Sequence, residues 1–108
     1  MRNFKYDNKE HKQMFIDELV GEIEQAREEI IDETLLLRKL KAQLKILKQC
    51  YKLKEKLFST NGVLEKEWTN ILDNKLEIKY SIKTIAEFKS DIEYAKAELK
   101  IVRATKIK

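Results

Sequence analysis

The chain contains no proline and only two glycines in its 108 residues. Because proline and glycine are the residues that most often interrupt a helix, little in this sequence would stop one. Long apolar runs are missing as well. No segment approaches the roughly 18 consecutive apolar residues that a membrane-spanning helix needs, so we expect no membrane contact of that kind. Residues 1–8 contain no apolar signal core, and we therefore expect the protein to stay in the cytoplasm.

Residues with catalytic or metal-binding chemistry are also scarce. The sequence has one histidine, His11, and one cysteine, Cys50, far apart along the chain. A lone cysteine cannot form an internal disulfide, which agrees with a reducing compartment. The sequence has no CxxC, HExxH, phosphate-binding glycine loop or EF-hand spacing, and its glutamates lack the Glu-x-x-His motif of carboxylate metal sites. We expect no enzyme activity, no cofactor, no metal site and no small-molecule substrate.

The sequence is rich in charge and in aliphatic residues. Charged residues make up 39% of the chain and hydrophobic residues 43%, with a net charge of +4. This composition is typical of a coiled coil or of a long-helix protein. Charge is divided along the first half of the chain. Eight acidic residues and one arginine lie between 17 and 33, and eight basic residues and one glutamate lie between 38 and 56.

Two apolar series with a seven-residue repeat indicate the fold. They run in opposite directions from residues 59–62, so their position numbers pair to a constant sum, such as 58 with 64 and 23 with 99. A constant sum is the register of an antiparallel hairpin folded at its midpoint. The first series is Ile16, Ile23, Ile30, Leu37, Leu44, Tyr51 and Phe58, and the second is Leu64, Ile71, Ile78, Ile85, Ile92 and Leu99.

We therefore predict an all-α fold, a long antiparallel two-helix coiled-coil hairpin that pairs into a four-helix bundle. The hairpin is expected to be a single domain, with a tail at 1–9, a first helix at 10–58, a turn at 59–62, a second helix at 63–104 and a tail at 105–108. Gly62 is a candidate to end the first helix, although the residues before it are equally able to cap the second. Gly21 lowers local helicity, and the sequence leaves open whether it breaks the first helix.

A second row of seam residues is needed in each helix. With the first series at heptad position a, the d positions are Leu19, Ala26, Glu33, Leu40, Leu47 and Lys54. Applying the same constant sum to these d positions predicts that they face Arg103, Lys96, Lys89, Ile82, Lys75 and Trp68.

Apolar residues beyond the seam suggest a partner. A hairpin of two helices cannot cover them all, and a wide apolar stripe normally faces more than one other helix. We expect either a second copy of the chain or a different protein to bind there, in an assembly, adaptor or inhibitor role. Phe88, Ala95 and Val102 form one further such series. The predicted partner-binding residues are Ile46, Cys50, Leu53, Leu57, Leu72, Leu76 and Tyr80.

An alternative function is non-specific nucleic-acid binding. A run of lysines in the first helix has the spacing of a ridge along one helix face, which suits contact with phosphates. Arginine, the usual reader of bases, occurs only four times, so such binding would be sensitive to salt and indifferent to sequence. The ridge consists of Lys41, Lys45, Lys48, Lys52 and Lys56.

Overall fold

The protein is a helical hairpin of two long helices, α1 (Lys9–Phe58) and α2 (Asn61–Ala104). The computed structural model describes residues 9–58 and 61–105, and for residues 58 and 61–63 it describes the backbone alone. The helices pack against each other with opposite chain directions, as the constant-sum pairing predicted. Within the described residues, neither helix is long and apolar enough to cross a membrane.

The region between the helices differs from its predicted form. Helix α2 begins at Asn61, two residues before the predicted start, so Gly62 lies inside α2 and does not end α1. Of the residues before Gly62 that could cap the second helix, Ser59 and Thr60 lie outside the described residues. Helix α1 runs without a break through Gly21, which answers the question that the sequence left open.

The a positions of both helices form one half of the seam. From Ile16 to Tyr51 in α1, and from Leu64 to Leu99 in α2, each of them is buried or half-buried. Ile71 and Leu64 are among the least exposed, at 1% and 4%. The apolar repeat therefore forms the contact between the two helices, as the sequence indicated, while charged residues occupy other positions of each helix.

The predicted second row of α2 is wrong by one residue. Trp68, Lys75, Ile82, Lys89, Lys96 and Arg103 are all exposed. The residues immediately before them are buried or half-buried instead: Glu67, Asn74, Ser81, Phe88, Ala95 and Val102. With Leu64 at position a, these are the d positions of α2. In the seam, a positions of α1 therefore pair with a positions of α2, and d positions pair with d positions. The position numbers of two paired d residues add up to one less than those of two paired a residues.

The chain forms two compact units along its helices. The terminal unit comprises the described residues 9–31 and 86–105, and the central unit comprises the described residues 32–58 and 61–85. The expectation of a single domain is not tested by this division and stays a prediction. Each unit has its own section of the seam.

The terminal unit contains the larger apolar core. Phe15, Ile16, Val20 and Ile30 pack around it from α1. Lys12 closes one end, because its Nζ donates to the carbonyl oxygens of Arg103 (3.1 Å) and Thr105 (2.7 Å). The positive charge of Lys12 also interacts favourably with the helix dipole of α2, whose negative end is the C-terminus. The core consists of Leu19, Ile23, Ala26, Ile92, Ala95, Leu99 and Val102.

The central unit has a thinner and more polar seam. Its buried residues include Leu40, Leu64 and Ile71, but also Asn74 at 7% exposed and Ser81 at 1% exposed. The Ser81 hydroxyl lies 3.5 Å from the carbonyl oxygen of Glu33, a long hydrogen bond. With little apolar volume in its d row, this unit has fewer fully buried hydrophobic residues among those described than the terminal unit has.

Candidate functional site

The heptad positions divide the outside of the central unit into two faces. In each helix, positions e and b lie beside a, and positions g and c lie beside d, because successive residues are about 100° apart. Since a pairs with a and d with d, the e and b positions of both helices share one side of the seam. Two contacts agree with this geometry: Trp68 (e) contacts Tyr51 (a), and one groove is lined by Gln43 (g), Ile46 (c), Leu47 (d) and Asn70 (g).

We call the side made by the c and g positions the neutral face. Its α1 part contains the first four predicted partner-binding residues. Ile46, Leu53 and Leu57 are 58%, 59% and 67% exposed, and Cys50 is exposed as well. The groove at Gln43, Ile46, Leu47 and Asn70 has a volume of about 330 Å³ and contains no charged side chain.

The α1 part of this surface is free of charge over a long stretch. Between positions 42 and 53, every residue at c, f or g is uncharged and exposed. This is unusual in a chain of which 39% of the residues are charged. We call these six residues the charge-free patch: Ala42, Gln43, Ile46, Gln49, Cys50 and Leu53.

The three predicted partner-binding residues of α2 are exposed but lie elsewhere. Leu72, Leu76 and Tyr80 are 43%, 65% and 71% exposed. Leu72 is at position b and Leu76 at position f, so they turn towards the other side and the outer edge of α2; Tyr80, at c, is the one that turns towards the neutral face. The sequence grouped these residues with the α1 stripe, and the structure does not bring the two sets together into one surface.

We call the side made by the b and e positions the lysine face. The predicted ridge residues Lys41, Lys45, Lys48 and Lys52 occupy this face and are all exposed. Lys56 is exposed too, but at position f it lies on the outer edge of α1. Across the seam, α2 adds further basic residues that the sequence analysis did not include, Lys75 and Lys79.

Trp68 lies on the lysine face beside the seam. Its ring is tilted against that of Tyr51, with the centroids 5.4 Å apart, and the side chain is 46% exposed. Lys75 places its Nζ 6.0 Å from the Trp68 ring centroid, at the outer limit of a cation–π contact. One side of Trp68 therefore packs against Tyr51, and much of its remaining surface is exposed to solvent.

An ion pair lies in the d row next to Trp68. The Lys54 Nζ donates to Glu67 Oε1 at 2.6 Å. This hydrogen bond, with the positive charge of Lys54, lowers the pKa of the Glu67 carboxyl below its usual value. Because the two charges neutralise each other in the seam, Lys54 is not part of the exposed lysine face.

The terminal unit has a groove of its own, of about 350 Å³. Ala26, Phe88 and Tyr94 supply its apolar lining, and carboxylates surround them. No cluster of three or more potential metal ligands occurs among the described residues. His11 contacts Phe15, with ring centroids 5.4 Å apart. The acidic lining consists of Glu22, Glu29, Asp91 and Glu98.

Comparison of the chain with protein-family models, with curated proteins and with solved structures found no match in any of the three. The geometry of the two faces is therefore the basis for the functional proposals.

Proposed function

We propose that the chain is a non-enzymatic protein–protein interaction module and that its contact surface is the charge-free patch of α1. One observation supports this most strongly: six consecutive outward positions on the c, f and g side are exposed and uncharged. An uncharged surface can be buried without removing a charge from water. Removing a charge from water has a high cost in free energy when an interface forms.

The partner that we propose is a second copy of the chain. The patch is close to self-complementary, because Gln43 and Gln49 lie at equal distances along α1 on either side of Ile46. A glutamine amide both donates and accepts hydrogen bonds, so it can pair with the same residue of an identical helix. Two hairpins packed through α1 would form a four-helix bundle, in which Ile46 and Leu53 would be covered.

Leu53→Asp tests this proposal. A carboxylate introduced at Leu53, the end of the patch towards the turn, would lose its contact with water in the associated form, and we expect the dissociation constant to rise at least about 100-fold. The measurement is sedimentation equilibrium of both proteins over the same concentration range. Leu53 is exposed in the hairpin itself, so circular dichroism should show unchanged helicity.

Leu76→Asp is the matched control. Leu76 is as exposed as Leu53, at 65% against 59%, but it lies on the outer edge of α2. We expect this variant to associate as the unmodified chain does. Equal loss of association in the two variants would show that the contact is not specific to the patch, and unchanged association of Leu53→Asp would refute the proposal.

A further inference from the structure

The lysine face has a much higher charge than any other part of the central unit. Its described b and e positions contain seven basic and two acidic side chains, an excess of five positive charges, whereas the whole chain has a net charge of +4. The neutral face of the same unit contains two basic and three acidic side chains. The basic set is Arg38, Lys41, Lys45, Lys48, Lys52, Lys75 and Lys79.

These cations form two rows on either side of the seam. The α1 row repeats at three or four residues, so neighbouring lysines are about 5–6 Å apart along the helix. The α2 row is offset across a distance of about 8–10 Å, the usual separation of packed helix axes. Two rows of cations at these spacings suit a polyanion that lies along the face and contacts both helices.

Trp68 lies in line with the α2 row, at its end towards the turn, and adds a second kind of contact. Tyr51 supports the ring from the seam, while 46% of the residue remains exposed. Within the described chain, Lys75 is the charged group in cation–π range of this ring, and its flexible side chain can move aside. A planar group could then stack on the indole, with Lys75 beside it on α2 and the α1 lysines across the seam to contact attached charges. The two acidic residues of the face, Glu55 and Glu65, lie on the side of Trp68 towards the turn.

We propose that the lysine face binds single-stranded nucleic acid, with phosphates contacting the two rows of lysines and a base stacking on Trp68. A single strand offers both phosphates and unpaired bases, and stacking on an aromatic residue accepts any base. A duplex keeps its bases stacked on one another, and an acidic peptide offers charge without such rings. This site uses different side chains from the charge-free patch and is independent of the interaction proposed above.

The test uses the full chain and a labelled oligothymidylate, followed by fluorescence anisotropy and by the emission of the protein. Trp68 is the one tryptophan of the sequence, so its emission reports on this site alone. We expect binding in about 50 mM salt, quenching of Trp68, and an affinity that falls with salt at a log–log slope of about −3, as for some four phosphate contacts. A duplex of the same length and polyglutamate should leave the emission unchanged.

Substitutions separate charge from stacking. Reversing two charges on the lysine face, with Lys48→Glu and Lys52→Glu together, should lower the affinity at least about tenfold and roughly halve the salt slope. The matched control makes the same change in net charge on the neutral face, with Lys39→Glu and Lys66→Glu together. We expect the control to lower the affinity much less.

Trp68→Ala should lower the affinity at least about fivefold, whereas Trp68→Phe, which keeps an aromatic ring, should retain most of it. Circular dichroism establishes that each variant is folded. The proposal is overturned by an absence of binding at low salt, by an equal effect of the two double charge reversals, by quenching with polyglutamate, or by an affinity that is insensitive to Trp68→Ala. None of these results alters the test of the charge-free patch, which measures association of the chain without nucleic acid.

Discussion

Asn74 is a polar residue in the seam of the central unit, where most a and d residues are apolar. It is 7% exposed, and among the described residues its side-chain oxygen has no hydrogen-bond partner. A buried amide oxygen in this state costs free energy relative to an apolar group of the same size. Polar residues of this kind in coiled coils fix register at the expense of stability. Asn74 is therefore expected to specify the pairing of α1 with α2.

Asn74→Leu should increase the free energy of unfolding by about 1–2 kcal/mol, because the two side chains are similar in size and the unsatisfied oxygen is removed. The measurement is urea denaturation followed by circular dichroism, at a fixed protein concentration since association would add to the apparent stability. A decrease in stability would show that the amide has a favourable contact in solution.

Residues of the d row also show where the sequence was hard to interpret. Position 68 is tryptophan and position 82 is isoleucine, so the row that contains them looks apolar near the turn. The true row has Glu67, Asn74 and Ser81 there, and an apolar character only further on, at Phe88, Ala95 and Val102. The last three were recognised as a series with a seven-residue repeat and were assigned to surplus surface. Their spacing of three residues from the a row was the signal for a seam position.

At the scale of the elements, each helix is long and continuous because it lacks strong helix breakers. Gly21 is at an exposed f position of α1, and a Cβ placed there would meet no atom within 4 Å. Nothing in the packing therefore requires glycine at this position. Its flexible backbone costs stability in the middle of a helix.

Gly21→Ala should increase the free energy of unfolding by about 1 kcal/mol, with no loss of packing. Ala97→Gly is the matched reverse substitution, at an exposed f position of α2 outside the charge-free patch, and should lower it by a similar amount. Thermal and urea denaturation of both variants measure the two effects. If Gly21→Ala were neutral or destabilising, α1 would not be a regular helix through residue 21.

The register of α2 is tested by a pair of neighbouring residues. Val102 is 0% exposed and belongs to the core of the terminal unit, whereas Arg103 is exposed. We expect Val102→Ala to lower the free energy of unfolding by about 2 kcal/mol, from lost burial and the cavity that remains. Arg103→Ala should change it by less than about 1 kcal/mol. The opposite order would restore the register that the sequence first suggested.

Whole-molecule features could be predicted from the sequence only in part. The hairpin, its antiparallel direction and the a rows follow from two apolar series, since a seven-residue repeat needs only the identity of the residues that make it. Which exposed residues share a face depends on the d row as well. A shift of one residue in that row moves Leu72 and Leu76 away from Leu53 and turns Trp68 and Lys75 out of the seam onto the lysine face.

The distribution of charge gives the central unit two faces of different chemistry. One has an excess of positive charge around an aromatic ring, and the other includes a stretch without charge. Separate faces allow two separate contacts, so a second copy on the charge-free patch would leave the lysine face open. We expect the mass of the chain in solution to be the same for the Lys48→Glu, Lys52→Glu double variant as for the unmodified protein.

The mass of the unmodified chain in solution tests the proposed association most directly. Nuclease-treated protein would be eluted at moderate salt and measured by light scattering, so that bound nucleic acid does not contribute. We expect a mass of about twice the 12.9 kDa of one chain, as for two hairpins joined through the charge-free patch. A mass of one chain at all concentrations would contradict self-association and would leave the patch as a surface for a different protein.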